Sequence, residues 1–178
     1  MSLGKLNNAR ESLAIARECR GILGGNFLFV SSAIRTELLR SIGGFDESIR
    51  EQGEYEGWVR LLLAGARAGI VREPLANYLV RSDSLSADPT YNRRHAIHAL
   101  NAALSLSLTE VERSVARAKL AELEAIDLKA RTVVAMRHGE SGARRLALRA
   151  ALVRPSRPGS RLKFAALAIA PRAVARRA

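Results

Sequence analysis

The chain has 178 residues and a net charge of +12, enough for one domain of ordinary size with an appendage. Apolar residues make up 48 % of it but aromatic ones only 4 %, so any core must rest on Leu, Ala, Ile and Val. A single cysteine, Cys19, excludes an internal disulfide framework; His95, His98 and His138 lack the partner set of a metal cluster; and no run approaches the roughly 18 apolar residues of a membrane span.

The first ten residues are polar and lack the apolar core of a signal peptide. Residues 11–23 place Leu13, Ala16 and Leu23 at helical spacing and predict a short amphipathic helix, ended by Gly24-Gly25. The apolar run at 26–31 is read as a buried strand, although periodicity alone leaves a helix open. A second short helix is expected over 33–41, stopped by Gly43-Gly44, and a third over 53–66. Residues 68–71 and 77–81 read as short strands, the first closed by Glu73-Pro74, and 82–89 as a loop. Beyond Pro89 the character changes. Residues 90–106, 109–138, 143–153 and 160–169 are rich in Ala, Leu and Arg and helical in pattern, with Thr109 and Glu112 spaced as a capping box.

The block with chemical content runs from Gly43 to Leu61. The glycine pair allows positive φ after a helix, Phe45 would anchor the loop, and Asp46 can bond loop amides. Glu54 and Glu56 open the next helix, where the macrodipole favours acids. Trp58 lies one turn beyond Glu54 on the same face. A carboxylate beside an indole is a surface that can take a proton from a sugar hydroxyl and stack on an apolar ring face. The ordinary alternative is two first-turn acids and a core tryptophan.

Residues 27–86 resemble the second half of family-two glycosyltransferase domains of the GT-A type. In that family a GGFDE loop precedes an acidic helix of the form E-D-x-D-x-W-x-R-L. Here these are Gly43-Gly44-Phe45-Asp46-Glu47 and Gly53-Glu54-Tyr55-Glu56-Gly57-Trp58-Val59-Arg60-Leu61. Later come Glu73-Pro74, Tyr78 to Arg81, and Ser84-Leu85-Ser86. The resemblance implies an α/β fold: a partial GT-A (nucleotide-diphospho-sugar transferase-like) domain over 1–88, acceptor side only, followed by an all-helical extension with a basic tail over 89–178. It implies inverting transfer of a sugar from a nucleotide-sugar donor to a glycan or lipid-linked acceptor. Glu54 would be the catalytic base; Trp58, Gly44, Phe45, Asp46 and Glu56 would bind the acceptor, and Arg81 the phosphate.

The chain departs from the family at several points. Glu54 replaces the usual Asp and Gly53 the first acid. Gly57 replaces a large apolar residue, at about 1 kcal/mol relative to Ala in a helix. Arg81 stands where some members carry histidine; it can grip phosphate but cannot ligate a metal. The family implies a divalent metal, Mg or Mn, yet its Asp-x-Asp motif occurs nowhere in this sequence. The expectation is therefore of a chain that lacks the donor-binding half, is inactive alone and has no useful affinity for a nucleotide sugar.

Residues 1–105 carry a net +2 and 106–140 zero, whereas 141–178 hold ten basic side chains and no acid. On the 143–153 helix Arg145 and Arg149 share one face and Ala143, Leu146, Ala147 and Ala150 another. On the last helix Leu162, Ala166 and Ile169 align, flanked by Arg161, Lys163 and Arg172. The single cysteine fits a reducing compartment, so a cytoplasmic chain is expected; acid-free amphipathic helices suit an anionic membrane surface and would put its tail on the inner face of the membrane. A solvated arginine-rich tail is the plainer reading. Two rivals to an enzyme are a nucleic-acid-binding module, disfavoured because the tail offers little aromatic stacking, and a non-catalytic helical interaction protein. Neither accounts for the block from Gly43 to Trp58.

Overall fold

A computed structural model describes residues 19–28, 31–47, 53–69, 88–153 and 158–169. Helices hold 73 % of them and none is in a strand. In chain order they are α1 (helical from residue 19 to 24 as described), α2 (Thr36–Ser41), α3 (Gly53–Leu63), α4 (Pro89–Leu104), α5 (Glu110–Arg137), α6 (Ala143–Leu152) and α7 (Pro158–Ile169).

The expected α/β fold, a partial GT-A domain, is corrected by this result: the described residues form an all-helical fold. Of the strand expected at 26–31, residues 26–28 are irregular and Ser31 lies in a turn, while 29–30 lie outside the described residues. The reason is local. The Asn26 side chain accepts the Leu28 N–H at 3.1 Å, taking a donor that a strand would give to its neighbour. Phe27 is 51 % exposed instead of buried in a sheet. Residues 68–69 are likewise irregular; the remainder of that expected strand, and the one at 77–81, lie outside the described residues.

The helix boundaries follow from capping chemistry. Asp88 caps α4, its side chain accepting the Thr90 N–H at 2.8 Å, with Pro89 at the first helical position where its missing N–H costs nothing. At the start of α5 Glu112 accepts the Thr109 N–H at 2.9 Å and Thr109 Oγ1 accepts the Glu112 N–H at 3.3 Å, closing the capping box. The end of α3 is closed by the Ala66 N–H to the Leu61 carbonyl and the Gly65 N–H to the Leu62 carbonyl, both at 3.0 Å.

Packing divides the chain into two compact units, Met1–Lys119 and Leu120–Ala178. In the first, α3 packs on α4. Its buried side chains include Ile22 and Leu23 of α1, Tyr55, Val59 and Leu62 of α3, and Leu100 of α4. Two long-range bonds tie α1 to α3: Tyr55 donates its hydroxyl proton to the Ile22 carbonyl at 2.7 Å, and the Cys19 thiol donates to the Leu62 carbonyl at 3.1 Å. In the second unit α6 and α7 pack together. Ala147, Ala150 and Ala151 let the helices approach, and Phe164, Leu167 and Leu128 fill the seam. The buried Thr132 hydroxyl is satisfied within α5 by the Leu128 carbonyl at 2.7 Å.

Candidate functional site

The block from Gly43 to Leu61 forms one local structure, built on the end of α2 and the length of α3. Ile42 follows α2, and Gly43 (φ 81°) and Gly44 (φ 79°) then both take left-handed backbone that side chains resist. The Gly43 N–H bonds the Arg40 carbonyl and the Gly44 N–H the Leu39 carbonyl, each at 3.0 Å. This Schellman closure satisfies the last carbonyls of α2 and reverses the chain. Phe45 is delivered onto α3, where its ring meets Trp58 edge to face with centroids 6.0 Å apart.

Arg60 locks the loop in place. Its Nε and Nη2 donate to the two carboxylate oxygens of Glu56 at 2.5 and 2.8 Å, a forked pair across one helical turn. Its Nη1 donates to the Ile42 carbonyl at 2.5 Å, and Nη2 also to the Gly44 carbonyl at 2.8 Å. One guanidinium thus joins α3 to two carbonyls of the loop, those of Ile42 and Gly44. The hydrogen bonds that Arg60 donates to Glu56 raise its pKa further above the ordinary value against the opposing effect of burial, and the charges of Glu56 and Asp46 add to the rise.

Glycine at 57 has a packing reason. A Cβ there would stand 2.6 and 2.7 Å from two ring carbons of Phe45, closer than any stable approach. The penalty for glycine inside a helix is accepted because one edge of the Phe45 ring, Cδ1 and Cε1, occupies the space a side chain would need.

The predicted site residues separate into two groups. Gly44, Phe45, Glu56 and Trp58 are brought together. Glu56 is buried with both oxygens taken by Arg60, and Trp58 is buried with its Nε1–H lacking an acceptor among the described residues. Asp46 is exposed on the loop beside them, and Phe45 is 41 % exposed. Glu54 sits half-buried in the first turn of α3, and among the described residues its carboxylate has no partner. Arg81 lies outside the described residues. Arg60 is absent from the site residues that the resemblance implies; its spacing of four from Glu56 is the signal that points to it.

No group of three or more His, Cys, Asp or Glu side chains converges among the described residues, so none of them is assigned to the metal that the family resemblance implies. Among the same residues no helix is long and apolar enough to cross a membrane. No family model matches the chain, and no curated protein or solved structure matches it either.

Proposed function

We propose that this chain takes part in transferring a sugar from a nucleotide-activated donor to a glycan or lipid-linked acceptor, and that it contributes the acceptor side with Glu54 as the base. The reading rests on the block from Gly43 to Leu61 and not on an overall fold. The observation that carries it is the division of labour between the two acids of α3. Glu56 is consumed by Arg60 in holding the Gly43-Gly44-Phe45-Asp46 loop. Glu54, one turn before Trp58, stands half-exposed with no partner among the described residues.

In this role the Glu54 carboxylate accepts the acceptor hydroxyl proton as the oxygen attacks the anomeric carbon, and the bond from that carbon to the departing nucleotide breaks on the opposite face. Assistance of this kind contributes roughly 10² to 10⁴ in rate. Phe45, 41 % exposed, supplies the apolar surface on which a sugar ring rests, with the buried Trp58 backing it edge to face. The donor is not assigned to the described residues.

The test is retention on an array of free and lipid-linked glycans, with calorimetry against nucleotide diphosphate sugars. The expected result is selective retention of some glycans, weakened in Glu54→Ala, with no donor binding. An array on which the wild-type chain selects nothing would overturn the reading, and saturable micromolar donor binding would overturn the acceptor-only assignment.

A further inference from the structure

The helical pair α6–α7 leaves uncovered what its partners do not need. On α7 the buried residues are Phe164 and Leu167, which face α6 and α5. Leu162, Ala166 and Ile169 recur at intervals of four and three on the opposite side of the helix. Leu162 is 73 % and Ile169 82 % exposed, the two most exposed large aliphatic side chains described. Arg161 and Lys163 are exposed on either flank of this stripe. The solvent face of α6 repeats the pattern, with Leu148 and Leu152 more than half exposed among the exposed Arg144, Arg145 and Arg149.

We infer that the outer faces of α6 and α7 are a docking surface for an anionic lipid bilayer, with Leu162 and Ile169 entering the headgroup layer and the flanking cations meeting lipid phosphates. Charge complementarity selects this occupant. Residues 141–178 contain ten basic side chains and no acid, so two copies of the face would repel each other. Nucleic acid explains the charge but gives no reason for exposed aliphatic stripes, and the aromatic ring of this unit, Phe164, is 5 % exposed and unable to stack on a base. A stripe of aliphatic residues edged by long cationic ones is the arrangement of a helix lying in the interface plane, its charged heads reaching outward along apolar stems.

The experiment is co-flotation of the full chain with vesicles of phosphatidylcholine alone and of phosphatidylcholine mixed with phosphatidylglycerol. Partitioning onto the mixed vesicles is expected to exceed that onto neutral ones by at least about tenfold and to fall with added salt. Replacing two exposed cations, Arg149→Gln with Lys163→Gln, should lower it about tenfold. Leu162→Ser with Ile169→Ser should do the same while leaving the far-ultraviolet circular dichroism and the melting temperature unchanged, since neither side chain is buried. Equal partitioning onto neutral and anionic vesicles overturns the proposal, as does undiminished binding by the Leu162→Ser/Ile169→Ser variant. Tight binding to duplex DNA in place of vesicles would assign the surface to nucleic acid, and self-association abolished by the same double substitution would assign it to a second copy.

Discussion

Arg60 concentrates more of the site's energetics than any other side chain of the block. Removing it leaves the Glu56 carboxylate, 6 % exposed, without a counterion, and leaves the carbonyls of Ile42 and Gly44 without donors. Breaking one side of such a pair costs about 3 kcal/mol in a buried setting, somewhat less here because the arginine is partly open to water. Arg60→Ala should therefore lower stability by about 2 to 3 kcal/mol in urea unfolding followed by Trp58 emission. Adding Glu56→Gln should cost less than the sum of the two single changes; strict additivity would mean that the pair does not act as a unit. Arg60→Lys keeps the charge but not the fork, and should recover only part of the loss.

Tyr55 makes a separate prediction. Burial raises its pKa from the ordinary 10 to about 12 by penalising the phenolate. Because the folded value is raised, its contribution to stability is complete below pH 10 and is lost as pH rises through about 12. Alkaline unfolding should show a loss of about 2 kcal/mol across that window, accompanied by phenolate absorbance. Tyr55→Phe should remove this step and cost about 1 kcal/mol at neutral pH, through the lost bond to Ile22. An unchanged alkaline profile in that variant would place the transition elsewhere.

At the scale of elements, α3 balances two effects of similar size. Gly57→Ala gains about 1 kcal/mol of helix propensity. It also drives Phe45 from its seat, forfeiting an aromatic pair worth about 0.5 to 1.5 kcal/mol. Net stability should move by less than about 1 kcal/mol, whereas Trp58 emission should shift to longer wavelength as the ring departs. A variant stabilised by the full propensity gain with unchanged emission would show that Phe45 does not rest on residue 57.

The helix signals were legible because they are local. The Thr109 and Glu112 pair and the Gly43-Gly44 stop each act within a few residues, and each functions as its residue types dictate. The strand expected at 26–31 was not, because an apolar run does not reveal whether a partner strand exists, and the Asn26 side chain claims the local amide. The same limit applies to the site. The i, i+4 spacing of Glu56 and Arg60 lies in the sequence, but the reach of Arg60 to Ile42 and Gly44 does not. Nor does the fit of Phe45 over Gly57, which joins residues twelve apart through a chain reversal.

On the scale of the whole molecule, the chemistry and the charge reside in different places. The first unit contains the loop, α3 and the partly open Glu54, and its sequence through residue 105 is close to neutral. The second contains the acid-free stretch and the uncovered aliphatic stripes. This partition gives each proposal its own probe, since Leu162 and Ile169 belong to one unit and Glu54 to the other. Trp58 is the chain's sole tryptophan, so its emission reports on the proposed acceptor site without labelling. The decisive measurement is titration of the chain with a panel of soluble oligosaccharides, read by Trp58 emission in wild type and Glu54→Ala. A saturable change with at least one glycan, weakened about tenfold in Glu54→Ala at unchanged melting temperature, is the predicted result. A flat response across the panel, or one that Glu54→Ala leaves intact, would contradict it.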